Sequence, residues 1–199
     1  MIIQHTQTKK VSSWVNTCEY IVLHHTWWDG TTPDINHVNY LSTNKAQVSC
    51  HYVIWKDWKI YQIADDKKIT RHAWISQRDW KTDLNRYSIG IEVVSDGKTF
   101  TLEQKANVRR LVDHLLKKHN LKSDRIIRHL DIAPKRKRDI WDSFRAPFKT
   151  FKEYQESYNT LPKLPLLSEW IRNGERPNEP ATRLEVATML DRLYTLLNK

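Results

Sequence analysis

The stretch Arg128–Asp139, RHLDIAPKRKRD, carries a histidine at 129, a lysine eight positions on at 137 and an aspartate two further at 139. A second stretch far upstream answers it: Ile21–Thr26, IVLHHT, a short apolar run closing on two histidines. Tyr20, Ile21, Val22 and Leu23 form a continuous run of β-favouring residues, which predicts a buried strand over Glu19–His25. Its histidines then stand at the C-terminal end of the strand, the edge at which open α/β sheets build their sites. His129, Asp139 and one of the pair His24/His25 make a set of two imidazoles and a carboxylate. Zinc suits that donor set, with water in the fourth position. No local HExxH pair is present, so spacing alone favours the plainer reading, surface and loop residues of a basic, histidine-containing chain.

A third stretch, Tyr87–Glu92 (YSIGIE), lies between the other two. In this order and spacing, the three stretches together resemble the zinc-dependent N-acetylmuramoyl-L-alanine amidases, the amidase type 2 family. That family is related to the peptidoglycan recognition proteins and to phage lysozymes of the amidase kind. The resemblance spans Asn16 to Phe148 and implies an α/β fold, a central mixed β-sheet flanked by helices. It makes the first histidine of the pair, His24, a zinc ligand with His129 and Asp139, and alternation along the strand turns His25 to the opposite face. It gives Glu92 the role of general acid–base and sets Lys137 near the developing oxyanion. Arg71-His72-Ala73-Trp74 resembles the family's WHA segment, whose histidine lines the cleft, and His72, Trp74 and, outside that segment, Asn85 are expected to meet substrate. Gly90, on the same strand face as Glu92, is expected to leave space for substrate.

The sequence also departs from the family. Cys50 stands where some relatives carry a tyrosine that assists catalysis, so that role is not expected here. Ile140-Trp141 follows the aspartate where Pro-Gly is common, and Asp57-Trp58 replaces the usual Asp-Gly turn. His51 is read as a core histidine rather than as one packing behind the metal.

The remaining elements follow from periodicity and caps. Thr32-Pro33 predicts a helix start, with the helix running to about Lys45. Ser49–Trp55 and Lys59–Ile63 read as a hairpin, and Asn85–Val94 as the next strand. Thr101 and Gln104 form a capping box opening a helix to His119, whose stripe is Val108, Leu111, Val112, Leu115 and Leu116. Asp124–Arg128 is a short strand delivering His129, and Phe148–Asn159 a closing helix. Residues 1–16 are polar, with a short edge strand as the reading.

Residues 1–160 thus make the catalytic domain, 161–165 (LPKLP) a linker and 166–199 a small helical module. Its segment TRLEVATMLDRLY resembles the end of one S-layer-homology-like repeat, a wall-attachment element. A piece this short rarely folds alone, so it either packs on the catalytic domain or self-associates through its helices.

The net charge of +10 favours a polyanionic partner, such as a cell wall carrying anionic polymers. No basic run is long enough to read as a nucleic-acid arm, and no segment is apolar enough to span a bilayer. Two cysteines, Cys18 and Cys50, make no disulfide framework and are expected to be reduced. Nine Trp offer both core bulk and sugar-stacking surface. The N-terminus lacks the apolar stretch of a signal peptide. The resemblance therefore implies an endolysin made in the host bacterial cytoplasm and released to the wall during phage lysis. Its substrate would be peptidoglycan, cut between N-acetylmuramic acid and L-alanine. Two other readings stand beside it: a non-catalytic peptidoglycan-recognition protein, and a zinc peptidase acting on the stem peptide.

Overall fold

The computed structural model describes residues 2–5, 12–27, 34–43, 48–56, 59–140, 142–145 and 148–160. In chain order the strands are β1 (Ile2–His5), β2 (Ser12–Val15), β3 (Tyr20–His25), β4 (Tyr52–Ile54), β5 (Lys59–Gln62), β6 (Lys68–Ile69), β7 (Gln77–Arg78), β8 (Lys81–Thr82), β9 (Ser88–Val93) and β10 (Ile126–Arg128). The helices are α1 (Asp34–Ser42), α2 (Leu102–Lys118), α3 (His129–Ile132), α4 (Asp142–Arg145) and α5 (Phe151–Thr160).

A six-stranded mixed sheet in the order β1-β5-β4-β9-β3-β10 organises these elements. β4, β9, β3 and β10 run parallel, β5 is antiparallel to β4, and β1 adds to β5 as a parallel edge strand. The apolar run of β3 is buried along its whole length because β3 lies between β9 and β10 with both faces covered. On one face Ile21, Leu23, Ile89, Ile91, Val93, Tyr52 and Ile54 pack against Val108, Leu111, Val112 and Leu115 of α2 and against Tyr154 and Tyr158 of α5. On the other, Tyr20 and Val22 meet Ala73, Leu84, Ile127 and Ile132, while Val53 packs with Val38 and Leu41 of α1. Strand alternation puts His24 and Glu92 on this second face, paired across β3 and β9.

Helix α2 forms as its sequence dictates. The Thr101 side chain accepts from the Gln104 backbone N–H, and Gln104 accepts in return from the Thr101 N–H. Four of the five stripe residues are fully buried, and Leu116 is partly so. Arg109 on the same helix donates to the Ser157 hydroxyl at 2.6 Å and carbonyl at 2.9 Å and lies over the Tyr158 ring, tying α2 to α5. Removing the cap in Thr101→Ala should lower stability by about 1 kcal/mol. Urea unfolding tests this, and an unchanged midpoint would mean the box contributes nothing.

Several boundaries differ from the sequence reading. α1 ends at Ser42 rather than Lys45, with the Ser42 hydroxyl donating to the Val38 carbonyl inside its last turn. Residues 50–51 are not strand, because the backbone of His51 serves several partners at once: its N–H donates to the Gly90 carbonyl, and its own carbonyl accepts from both Ile63 and Ala64. β9 begins at Ser88; Asp83 at φ 54° starts a tight 3₁₀ turn over Leu84–Arg86 instead. The Thr32-Pro33 helix start, the Asp57-Trp58 turn and all of 161–199 fall outside the described residues. Among the described residues no helix is long and apolar enough to cross a membrane.

Candidate metal centre

Three adjacent parallel strands end at one place. β3 delivers His24, β9 delivers Glu92 in register with it, and β10 runs directly into His129, the first residue of α3. Arg128 fixes that strand-to-helix junction: its N–H and its guanidinium both donate to the Asp131 carboxylate. The loop then returns, and the Leu130 N–H donates to the Asp139 carbonyl at 2.7 Å, bringing Asp139 beside His129. Ile140, buried in the α2-facing core, anchors the next position.

His24, His129 and Asp139 converge, all buried. The two Nδ1 atoms are 2.9 Å apart, and Asp139 Oδ2 lies 3.2 Å from His24 Nδ1 and 2.9 Å from His129 Nδ1. A tetrahedral ion with bonds of about 2.0–2.1 Å holds its donors about 3.3 Å apart, so this triangle is within a few tenths of an ångström of a zinc site. The remaining Asp139 oxygen, Oδ1, is buried with no hydrogen-bond partner. Burial, with His129 alongside, pushes His24 down to about 4, so it is neutral and ligand-competent at pH 7. Burial opposes the charge on Asp139, yet its short contacts to the His129 and His24 imidazoles outweigh it and hold the carboxyl well below the usual range. The donor chemistry and the spacing both fit zinc. His25 lies on the opposite face, 4.3 Å from the Trp27 ring and packed toward Phe100.

Glu92 is half-buried, but its Oε2 is withdrawn from solvent and has no hydrogen-bond partner. Burial and the Asp139 charge push its carboxyl up to about 8, while Lys137 pulls it down. Lys137 alone of the basic trio is half-buried; Arg136 and Arg138 are exposed. Arg136 donates to the carbonyls of Trp74 and Ile75, so it latches the site loop to the 71–76 segment, a contact that nothing in the sequence announces.

Three residues expected to meet substrate fare differently. Trp74 is 71% exposed and free to do so. Asn85 is buried and committed: its Oδ1 accepts from the His72 and Ala73 N–H groups, and its amide donates to Asp83. His72 is also buried, with Nδ1 3.0 Å from His24 Nε2, behind the ligand rather than on an open cleft wall. The space at Gly90 goes to His72 as well, since a Cβ there would sit 2.5 Å from the His72 Cγ. His51 packs next to His72, accepting at Nδ1 from the Gly90 N–H and donating from Nε2 to the Lys68 carbonyl. Both cysteines are free and buried, and burial raises both thiols, Cys18 to about 11, so neither is a thiolate at neutral pH.

These buried histidines make the metal-free chain acid-sensitive. His24 and His51 are pushed to about 4 and His72 well below 6.5, in each case chiefly by burial. The unfolded chain therefore binds more protons than the folded one below about pH 6.5, and stability present above that pH is lost as pH falls toward 4. His24 and His51 each cost about 2 kcal/mol at pH 5, and His72 adds a loss of the same sign. Glu92, raised instead, runs the other way and offsets about one of them. Chelator-treated protein should lose several kcal/mol between about pH 7 and 5, with net proton uptake on unfolding. A flat denaturation midpoint across that range would contradict the buried, neutral assignment.

Two imidazoles and a carboxylate that could hold a metal ion, with a glutamate nearby, thus gather at the C-terminal edge of parallel strands in an α/β sheet. Residues 14–141 match the family described as N-acetylmuramoyl-L-alanine amidase, and the chain belongs to that family. It is 30% identical over 105 residues to the 1,6-anhydro-N-acetylmuramyl-L-alanine amidase AmpD of Haemophilus influenzae, covering 52% of this chain and 57% of AmpD. It is 26% identical over 137 residues to the N-acetylmuramoyl-L-alanine amidase XlyA of Bacillus subtilis, covering 64% of this chain and 43% of XlyA. The chain thus spans about half the length of these curated relatives. A crystal structure of selenomethionine AmpD shares the fold, with TM-score 0.66 over 78% of this chain and 93% of that one at 20% identity.

Proposed function

We propose that this protein is a zinc-dependent peptidoglycan amidase, hydrolysing the bond between the lactyl carbonyl of N-acetylmuramic acid and the amine of L-alanine. The observation that carries this reading is the convergence of His24 Nδ1, His129 Nδ1 and Asp139 Oδ2 beside the buried, unpartnered oxygen of Glu92. Zinc held by those three residues would lower the pKa of a water toward about 7 and polarise the scissile carbonyl. Two neutral ligands and one anion would leave that ion a net positive charge.

Glu92 takes the water's proton and passes it to the departing amine. Its carboxyl, raised toward neutrality by burial and by Asp139, suits a group that must both accept and donate near pH 7. Lys137 supplies positive charge for the oxyanion; a donor at such a position is worth roughly 3–4 kcal/mol. Trp74, exposed beside the site loop, offers a face for the sugar or stem peptide. Cys50 does no proton transfer, because its thiol is buried and raised.

In this reading the net charge of +10 draws the protein to anionic wall polymers, and it acts as an endolysin on the wall of a phage host. Residues 166–199 then form a wall-binding or self-associating module after the linker. The name of AmpD favours a second substrate with the same scissile bond, a soluble 1,6-anhydro muropeptide. The test is mass spectrometry of products from purified wall and from an anhydro muropeptide. Free L-Ala amino termini from wall support the lysin; cleavage of the soluble fragment alone supports the second substrate. New reducing sugars, or cuts within the stem peptide, overturn the amidase reading.

A further inference from the structure

We propose that His72 is a positioning residue for the metal ligand His24, setting which of its ring nitrogens is free to bind the ion. The inference rests on the metal centre proposed above, not on which amide is cut. Its chain of contacts starts away from the centre. The Ser88 hydroxyl donates to the Leu84 carbonyl at 2.5 Å, so the hydroxyl oxygen is left as an acceptor. His72 Nε2 lies 3.3 Å from that oxygen and 3.3 Å from the Ser88 carbonyl. Facing two acceptors, Nε2 carries the proton. In the neutral ring Nδ1 is then a lone pair, and it sits 3.0 Å from His24 Nε2. His24 therefore donates from Nε2, which leaves its Nδ1 as the lone pair facing His129 and Asp139. A backbone carbonyl two hydrogen bonds away thus selects the tautomer in which His24 can bind a metal.

The scaffold is built around this relay. Gly90, paired with Val22 in the strand beside His24, gives up its side-chain volume to the His72 ring. Asn85 holds the His72 and Ala73 N–H groups, which fixes the ring's attachment. The His51 ring backs it from behind at 5.7 Å, edge-on. Metal-binding histidines usually donate their second nitrogen to a carboxylate or a carbonyl. Here a neutral imidazole is interposed between ligand and carbonyl. It extends the connection by one ring without adding a negative charge next to Asp139, Glu92 and the ion.

The experiment compares wild type, His72→Asn and His72→Phe in the full chain. Asn keeps an acceptor near the Nδ1 position, whereas Phe fills the volume without one. Zinc affinity is measured by competition with a chromophoric chelator, and the His24–His72 contact by ¹⁵N NMR of the zinc-loaded protein. The expected results are an affinity about 10–100-fold weaker for Phe, a smaller loss for Asn, and a wild-type His24 protonated at Nε2 with a nitrogen–nitrogen coupling to His72 Nδ1. Wild-type affinity in His72→Phe overturns the proposal, as does Asn falling as far as Phe or a His24 proton on Nδ1. A wild-type chain that binds no zinc overturns this inference and the proposed function together, whereas zinc binding without the relay signature overturns this inference alone.

Discussion

Glu92→Gln is expected to lower amide hydrolysis by about 10²–10⁴-fold, some 3–5 kcal/mol of barrier, while leaving fold and zinc content intact. The substitution keeps the shape of the side chain and removes only its ability to take a proton. Glu92 donates no atom to the triangle of His24, His129 and Asp139, so the metal should stay. Removing a carboxyl that burial and Asp139 push up to about 8 should not weaken folding near neutral pH. A loss of rate then reads on proton transfer and not on unfolding. Release of L-Ala amino termini, with zinc measured on the same sample, checks the expectation. Wild-type rates in the variant would remove Glu92 from the chemistry.

His129→Ala is expected to abolish stoichiometric zinc and, with it, detectable hydrolysis. Two of the three short contacts in the triangle involve His129 Nδ1, at 2.9 Å to each partner, so its loss leaves only one imidazole and one carboxylate. Zinc sites of the catalytic kind use three protein ligands, and two hold the ion poorly. The variant also strips Asp139 of its closer imidazole neighbour while leaving it buried. Some destabilisation should therefore accompany the metal loss, of the order of 1–3 kcal/mol for a buried acceptor left unpaired. Elemental analysis of folded variant, with circular dichroism to establish that it is folded, reads the outcome. A full zinc complement in H129A would show that the ion is held elsewhere.

Single pieces of this site could be read from sequence because each is local, whereas joining His24 to His129 and Asp139, more than a hundred residues on, rested on the family resemblance. The apolar run into His24 and His25 can only be a covered strand, and the spacing from His129 to Asp139 lies in one short loop closed by a single backbone hydrogen bond. The α2 boundaries followed from a capping box whose two hydrogen bonds both form within four residues. What could not be read depends on partners distant in the chain. Gly90 looked like room for substrate, and only the path of residues 71–74 shows that His72 fills it. Asn85 looked like the start of a strand facing a cleft; a positive φ at Asp83 and two backbone donors from 72–73 make it a clamp instead. β1 joins the sheet edge by parallel pairing to β5, more than fifty residues on, which no periodicity within the polar N-terminal stretch encodes. Arg136 and Lys137 are neighbours of one charge that only the resemblance distinguished in the sequence, and the folded loop sets them apart by exposure.

His24, His129 and Asp139 are expected to hold one zinc ion between them. Zinc X-ray absorption on the purified full chain, with metal content determined in parallel, tests it most directly. The expected result is one zinc per chain, surrounded by nitrogen and oxygen at about 2.0–2.2 Å with two imidazoles, and no sulfur at about 2.3 Å. A chain that copurifies with no zinc and takes up none, or a shell containing sulfur from Cys18 or Cys50, would contradict it.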